Sequence, residues 1–448
     1  MQSSSADFSQ GSIRRHILSQ AIPLTLAQIV QLLYNIVDRI YIGHLEGVGD
    51  LALTGLGICF PVIVIISAFT GLFSSGGATL FAIARGKQEE EEAAYLMGNS
   101  FALLTLGAVV LFGLFYVFRT PVLYLFGASS QSIGYGESYL SVYLWGTGFS
   151  MLTTGLNSFI SAQGFPKTGM LTTFFGAGCN ILLDPIFIFG LDMGVTGAAL
   201  ATVLSQMLSA LWVLGFLTGK KALIPLRLRY LNLRRTKPIV TLGISGFMVQ
   251  ATNSLVSIAC NNQLQAYGGD LYVGIMTVIN SIREMASLPV TGITHGAQPV
   301  LGYNYGAKEF HRLKAGIRFM ALLGGSYTLF AWICILLIPG QLMGIFTEDA
   351  QIIATGARML NIYFFGFVFM AFQFCGQATF QSLGRAKQAV FFSLLRKAFI
   401  VVPLTLLLPG LGFGVEGVFL AEPISNVIGG LASYITMRMT VYRRIGKL

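Results

Sequence analysis

The sequence of 448 residues is strongly apolar, with 54% hydrophobic residues and only 10% charged residues. A water-soluble domain carries roughly 25% charged residues, so this composition excludes an ordinary soluble protein and indicates a surface that faces lipid. The formal net charge of +10 does not indicate a nucleic-acid partner, because the basic residues are confined to one set of loops.

Apolar stretches long enough to cross a bilayer, which takes about 20 residues, follow one another along the whole chain. We predict six helices in the first half, near 17–43, 51–84, 93–118, 132–163, 168–190 and 194–218. Six more follow near 238–267, 271–304, 312–338, 352–383, 388–410 and 414–440. The predicted fold is an all-α integral membrane protein with twelve transmembrane helices in two six-helix lobes.

Charge in the loops predicts the domain bounds and the orientation. Twenty-four of the 28 Lys and Arg residues lie in or beside alternate loops, and we count Arg396 and Lys397 among them. The opposite loops hold the acids Glu46, Asp50, Asp192, Asp270, Glu348, Asp349 and Glu416. This asymmetry predicts a multi-pass protein of the plasma (bacterial inner) membrane with both termini in the cytoplasm. The segments are a cytoplasmic tail (1–16), a lobe (17–218), a basic cytoplasmic linker (219–237), a second lobe (238–440) and a cytoplasmic tail (441–448).

The two halves match each other at a constant offset of 220 residues. Examples are Gly76 with Gly296, Tyr143 with Tyr363, and Gly194 with Gly414. Because each half has six spans, both halves enter the membrane in the same direction, which makes a parallel internal repeat. Transporters built in this way bind substrate between or within their lobes and alternate its access.

Polar residues inside the spans are the candidate functional groups, since an ionisable side chain in the bilayer is costly. Helix 1 carries a polar stripe at helical spacing, formed by Gln28, Gln31, Asn35 and Asp38. In helix 5, Asn180 and Asp184 share a face, and Thr202 of helix 6 lies at a similar depth. Carboxylates and neutral oxygens together suit a small hard cation or a shared proton. The alternative is that the two acids merely cap helix ends near the headgroups.

The second half lacks an equivalent of this cluster, since Leu404 stands where the repeat would place Asp184. Coupling chemistry is therefore predicted in the N-terminal lobe only. Arg283 and Glu284 form a polar pair in the C-terminal lobe, and each either contacts another helix or joins a buried ion pair that orders the lobe. Pro23 is predicted to be a flexible point, because it lies on the helix that carries Asp38.

No enzymatic or ATP-driven function is predicted. The sequence contains no G-x-x-x-x-G-K-[ST] motif, and its four histidines and five cysteines show no metal-ligand spacing. We expect no cofactor, and no metal beyond a Na⁺ ion at the coupling residues.

Two segments resemble multidrug and toxic compound extrusion (MATE) transporters. One runs from Ile22-Pro23 through Tyr34-Asn35-Ile36-Val37-Asp38 to Ile42-Gly43, and the other from Asn180 to Asp184-Pro185 and on through Gly194 to Ala199. The stretch from Gln298 to Ala307 resembles the end of helix 8 in that family. The resemblance covers nearly the whole chain, and the motifs occur in the family's order.

The resemblance implies a secondary active efflux antiporter that exports amphipathic, often cationic compounds in exchange for H⁺ or Na⁺. In the bacterial and archaeal branch with acids in the N-terminal lobe, the coupling residues match Asp38, Asn180, Asp184 and Thr202. The residues assigned to the substrate cavity are Gln31, Tyr34, Asn35, Tyr139, Asn157 and Met207. We expect a monomer whose partners are small amphipathic substrates and membrane lipid.

Two other functions remain open at this point. One is a flippase or a dedicated lipid or metabolite exporter of the same superfamily, which typically carries a basic central cavity. Arg283 is the one candidate for a central cation, which argues against a flippase. The other is a membrane sensor or scaffold, but that function leaves the repeat and the intramembrane acids without a role.

Overall fold

The structure is a computed structural model that describes residues 8–45, 49–232, 235–346 and 350–445. Three of the predicted outer-loop acids, Glu46, Glu348 and Asp349, lie outside these ranges. The side chains of Asp50 and Asp270 lie outside the description as well. Every structural statement below concerns the described residues.

The described chain is helical almost throughout. Its α-helices are α1 (Ile13–Gly43), α2 (Gly49–Gly86), α3 (Glu90–Val117), α4 (Arg119–Leu125), α5 (Ile133–Tyr143), α6 (Thr147–Ala162), α7 (Pro166–Pro185), α8 (Gly194–Thr218), α9 (Lys237–Gly306), α10 (Phe310–Leu337), α11 (Pro339–Gly344), α12 (Ala350–Phe364), α13 (Val368–Ser382), α14 (Ala386–Leu394), α15 (Val402–Leu407) and α16 (Gly414–Met437).

These helices form the twelve predicted spans. Within the described ranges, nine helical segments are long and apolar enough to cross a membrane, and α12 with α13, bent by 46°, adds a tenth. The remaining two spans are α5 with α6, and the part of α9 that follows Gly269. Gly269 divides α9 because its backbone adopts φ 69°, outside the helical region. The short helices α4 and α11 occupy equivalent places in the two halves.

Local breaks in the spans follow identifiable residues. A 3₁₀ turn at Leu144–Gly146 separates α5 from α6, and Gly366, with φ 79°, lies between α12 and α13. π-helical turns occur at Ile186–Gly190, directly after Pro185, and at Leu395–Val401 between α14 and α15. Such turns widen a helix locally and are frequent at functional sites.

The internal repeat is visible in the backbone as well as in the sequence. Left-handed residues recur at the offset of 220, in the pairs Gln88 and Lys308, Gly164 and Gly384, and Gly194 and Gly414. These residues stand between consecutive spans, where the chain must reverse direction. The repeat therefore reproduces the turns and not only the apolar stretches.

The described chain divides into two compact units. The first comprises Leu26–Gly243 with Phe8, and the second comprises Ser9–Thr25 with 244–445. The division cuts α1 two residues after Pro23. The lobe bounds 17–218 and 238–440 predicted from the loops stay a prediction.

In the first unit, α6 packs against α2, α3 and α8. Close approach depends on small residues, as expected for helices in lipid. At Gly77 on α2, an added Cβ would overlap Ser100 Oγ on α3 and would lie 2.9 Å from the ring of Phe159 on α6, so glycine is needed for this packing. The same unit contains α7 against α8, which positions the polar residues of both helices.

In the second unit, α13 packs against α10 and α16, and α16 also contacts α12 and the π-helical turn Leu395–Val401. Its core contains apolar residues from α9, α12 and α13, such as Ile279, Leu360 and Phe367. Each unit therefore has its own packed interior, into which a small number of polar side chains project.

Candidate functional site

Asp38 is the one member of the α1 stripe that is buried. Its residue is 7% exposed, and its Oδ1 atom has no hydrogen-bond partner in the described part of the chain. Gln31 and Asn35 are exposed, and Tyr34 is half-buried. The neighbouring Arg39 turns away, with its guanidinium over the ring of Phe60 at 5.8 Å. Asp38 is therefore a buried acid that forms no ion pair in the described part of the chain, although the charge of Arg39 acts on it.

A second group lies between α7 and α8. Asn180, Asp184 and Thr202 are 2%, 0% and 5% exposed. The amide Nδ2 of Asn180 donates to Asp184 Oδ1 at 3.3 Å and to Thr202 Oγ1 at 3.4 Å. The i, i+4 spacing on α7 places the amide and the carboxylate on one face. The π-helical turn that begins at Ile186 follows directly, so this pair stands at the end of the regular helix.

Asp38 and the group formed by Asn180, Asp184 and Thr202 lie close enough in the first unit to interact electrostatically. The charge of Asp38 acts on Asp184 and also on the hydroxyls of Tyr34 and Tyr139. Tyr139 stacks on Tyr143, with ring centroids 5.7 Å apart and an interplanar angle of 17°. The structure therefore brings four elements, α1, α5, α7 and α8, to one polar site with an aromatic wall.

The acceptors in this site outnumber the donors. Asp184 Oδ2 and Asn180 Oδ1 are buried without a hydrogen-bond partner, as is Asp38 Oδ1, within the described ranges. Buried acceptors without donors are unfavourable unless a proton or a cation satisfies them. Carboxylate and amide oxygens are the ligands that a hard cation prefers, so these residues fit either H⁺ or Na⁺. The described residues contain no cluster of three or more His, Cys, Asp or Glu that could hold a metal ion.

Two further residues were assigned to the substrate cavity, Asn157 on α6 and Met207 on α8. Asn157 on α6 donates through Nδ2 to the backbone carbonyl of Gly169 at 3.1 Å, which ties α6 to α7. Met207 is half-buried on α8 and lies five residues beyond Thr202, about 140° around the helix axis. The assignment of these two residues to the substrate cavity stays a prediction.

The sequence analysis missed polar residues that continue the face of Thr202. Ser205 is 3% exposed, and neither its Oγ atom nor the Oε1 atom of the half-buried Gln206 has a partner among the described residues. Their spacing of three and four from Thr202 in an apolar helix was the available signal.

A buried charged cluster in the second unit corrects two sequence-based expectations. Arg396 and Lys397 do not lie beside a cytoplasmic loop: they are 8% and 5% exposed, in the π-helical turn between α14 and α15. Lys397 Nζ donates to both carboxylate oxygens of Glu422 on α16, at 3.0 and 3.1 Å. Arg396 donates to Glu422 at 2.9 Å and to Asn426 at 2.8 Å. Arg283 is therefore not the only cation inside this lobe.

Arg283 and Glu284 are separated by the helix geometry of α9. Glu284 is exposed, whereas Arg283 is half-buried and its Nε atom is buried without a hydrogen-bond partner in the described chain. No ion pair joins these two side chains among the described residues. Pro23 is buried inside α1, near the division between the two units.

Comparison with known proteins identifies the family. The model of the MatE family matches residues 23–186 and 247–407. A relative named multidrug export protein MepA, from Staphylococcus saprophyticus, is 24% identical over 96% of this chain and 94% of its own length. A solved outward-facing multidrug resistance MATE family transporter superposes with a TM-score of 0.92 at 24% identity over all of both chains.

A crystal structure of MATE described as being in the bent conformation gives a TM-score of 0.93 at 24% identity, over 99% of each chain. These likenesses show the fold, and the family match covers both halves of the repeat. The chain belongs to the MATE family and is a multi-pass membrane transporter, not an enzyme.

Proposed function

We propose that this protein is a secondary active multidrug efflux antiporter, which exports amphipathic, often cationic organic compounds in exchange for H⁺ or Na⁺. The observation that carries the proposal is the pair of buried acids, Asp38 and Asp184, whose unpartnered oxygens lie in one electrostatic neighbourhood. The printed name of the staphylococcal relative, a multidrug export protein, supports the substrate class.

The chemistry of the site gives a reason for coupling. Two carboxylates in an apolar surrounding repel each other, and each is costly as an unpaired charge. A proton or a Na⁺ ion that binds Asp38, Asn180, Asp184 and Thr202 removes both costs. The α1 stripe then moves toward α7, with Pro23 supplying the flexible point. This movement narrows the space beside Tyr139 and releases the substrate.

The same acids explain a preference for cationic substrates. A lipophilic cation is stabilised by an uncompensated carboxylate, and aromatic side chains such as Tyr34 and Tyr139 provide an adaptable apolar wall. Because the cation and the coupling ion neutralise the same charges, their binding is mutually unfavourable. This competition converts an inward ion gradient into outward transport of the drug.

The orientation belongs to the same proposal. We place the protein in the plasma membrane as a monomer, with both termini and the linker 219–237 in the cytoplasm. The support is the concentration of Lys and Arg in alternate loops, although Arg396 and Lys397 no longer count toward it.

The first prediction tests the coupling acids by substitution. We expect Asp38→Asn and Asp184→Asn each to reduce ion-driven export of a fluorescent cationic dye to the level of vesicles without the protein. The amide keeps the size of the side chain but accepts no proton and binds a cation weakly. The measurement is dye accumulation in inside-out proteoliposomes on imposing a proton or Na⁺ gradient.

Asp192→Asn is the matched control, because Asp192 is an exposed acid in the loop after the π-helical turn and is expected to keep full activity. Gradient-driven accumulation by Asp38→Asn at the rate of Asp192→Asn contradicts the coupling assignment. Wild-type protein that responds to neither gradient and moves none of the dyes would instead favour the flippase or the dedicated lipid or metabolite exporter.

A further inference from the structure

A narrow pocket with a cavity volume of about 20 Å³ lies inside the second unit, between α9, α12, α16 and the π-helical turn. The exposed Ser257 stands at its mouth, and the buried Lys397 and Glu422 form its floor. Arg283, Asn280 and Tyr363 line its walls. Arg283 and Lys397 are positively charged, and Asn280 and Tyr363 add neutral hydrogen-bond donors to the lining.

The charges around this pocket do not balance. Glu422 is the one carboxylate among the described lining residues, and Arg396 and Lys397 already occupy both of its oxygens. Arg283 has no ion pair and no side-chain hydrogen bond in the described chain, although the hydroxyl of Tyr363 and the charges of Glu422 and Glu284 act on it. Arg283, Arg396 and Lys397 thus face the single carboxylate of Glu422. The guanidinium of Arg283 therefore keeps its donors available for a ligand.

The repeat shows that this pocket is the counterpart of the acidic site in the first unit. At the offset of 220 residues, Glu422 corresponds to Thr202, and Tyr363 corresponds to Tyr143. Ser425 and Asn426 correspond to Ser205 and Gln206 in the same way. The two copies have opposite charge, since Asp38 and Asp184 are replaced by the apolar Ile258 and Leu404.

We propose that the pocket lined by Arg283, Lys397 and Glu422 binds the carboxylate group of an anionic or zwitterionic amphipathic substrate. The guanidinium of Arg283 donates two parallel hydrogen bonds to the carboxylate, the geometry for which arginine is best suited. Asn280 and Tyr363 supply neutral donors beside it. Because the pocket has room for the carboxylate only, the apolar body of the ligand stays outside it, on the side of the exposed Ser257. This proposal concerns binding in the second unit and does not depend on ion coupling at Asp38 and Asp184.

The test compares two ligands that differ only in charge, 4-phenylbutyrate and its neutral isostere 4-phenylbutyramide. Both are titrated by calorimetry into the purified full-length protein in nanodiscs, in a methanesulfonate buffer. We expect wild type to bind the carboxylate about tenfold more tightly than the amide, the factor that a charge-assisted hydrogen bond provides. Arg283→Gln is expected to bind the two ligands equally.

Arg358→Gln is the matched control, because Arg358 is an exposed arginine of the same lobe that pairs with Glu416 outside the pocket. It is expected to keep the preference of wild type. Arg283→Lys keeps the positive charge but lacks the two parallel N–H donors of the guanidinium. We expect this variant to bind the carboxylate at most about threefold more tightly than the amide. That variant carries the test if Arg283→Gln does not fold.

Equal binding of the two ligands to wild type overturns the proposal, as does a full preference in Arg283→Gln or in Arg283→Lys. Repeating the titration with about 150 mM chloride separates the two sources of negative charge. A preference that survives chloride supports a substrate carboxylate. A preference that chloride abolishes identifies an inorganic-anion site and overturns the assignment to a substrate.

Discussion

At the scale of the residue, the two units handle buried charge in opposite ways. In the first unit, neither Asp38 nor Asp184 forms an ion pair among the described residues, although the charge of Arg39 acts on Asp38, so a bound ion or ligand is needed to neutralise both acids. In the second unit, Glu422 is held by two basic side chains within 3.1 Å. A buried acid with fixed partners orders its surroundings, whereas an unpartnered acid is available for exchange.

This contrast predicts different consequences for stability. Glu422→Gln leaves Lys397 and Arg396 buried without their carboxylate, and removing one partner of a buried pair costs about 3–5 kcal/mol. We expect a clearly lower melting temperature for this variant in detergent. The control is Glu416→Gln, which removes an exposed partner of Arg358 and costs less than about 1 kcal/mol. Equal melting temperatures for the two variants would contradict a structural role for Glu422.

The acids of the first unit were predictable from the sequence because they interrupt apolar helices at helical spacing. Arg396 and Lys397 were misassigned for a physical reason: they lie about ten residues from the basic turn at Arg385, and charge counting alone cannot separate a loop from the first turns of a span. Their partner Glu422 is distant in sequence, so only the packing of α16 against the π-helical turn reveals the pairing.

At the scale of the element, α1 carries both a coupling acid and a helix-weakening residue. Pro23 has no backbone N–H, so the carbonyl of Ser19 lacks its usual helical donor, and the helix can bend there. The division of the chain into two units falls between Thr25 and Leu26, close to this point. The part of α1 before Leu26 belongs to the second unit, and the part that carries Asp38 belongs to the first unit.

A substitution at Pro23 separates motion from ion binding. Pro23→Ala restores the helical donor and stiffens α1, so we expect the export rate to fall about threefold or more while ion affinity stays unchanged. The measurement pairs initial dye transport in proteoliposomes with the ion dependence of dye binding. Pro61→Ala on α2, a helix without coupling groups, is the control and is expected to transport at the wild-type rate. Equal rates in the two variants would contradict a hinge at Pro23.

Helix bounds were predictable within a few residues, because apolar length is a strong signal in membrane proteins. α1 begins at Ile13 and not at 17, since the amphipathic turn before the apolar stretch is also helical. The breaks inside spans were not predictable. Leu144–Gly146 and Leu395–Val401 have ordinary sequences, and tertiary packing decides where the helix tightens or widens.

At the scale of the whole molecule, the repeat supplies one backbone plan for two different chemistries. The left-handed turn residues and the broken spans recur at equal spacing in both halves, whereas the polar residues do not. The family match extends across both halves, so the membrane fold is common to the family and the function depends on the side chains of each pocket. Sequence comparison between the halves predicted this asymmetry for the acids but not for the basic cluster.

The central claim is that the coupling ion and a cationic substrate compete for Asp38 and Asp184. Binding of tetraphenylphosphonium to the purified protein tests it directly, at about pH 8.5 and about pH 5.5, with and without Na⁺. Because linkage is reciprocal, an ion that binds the same carboxylates must weaken substrate binding. We expect the affinity to fall about tenfold on acidification or on addition of Na⁺, and this dependence to vanish in Asp38→Asn. An affinity for tetraphenylphosphonium that is the same under all four conditions in wild type would contradict the account.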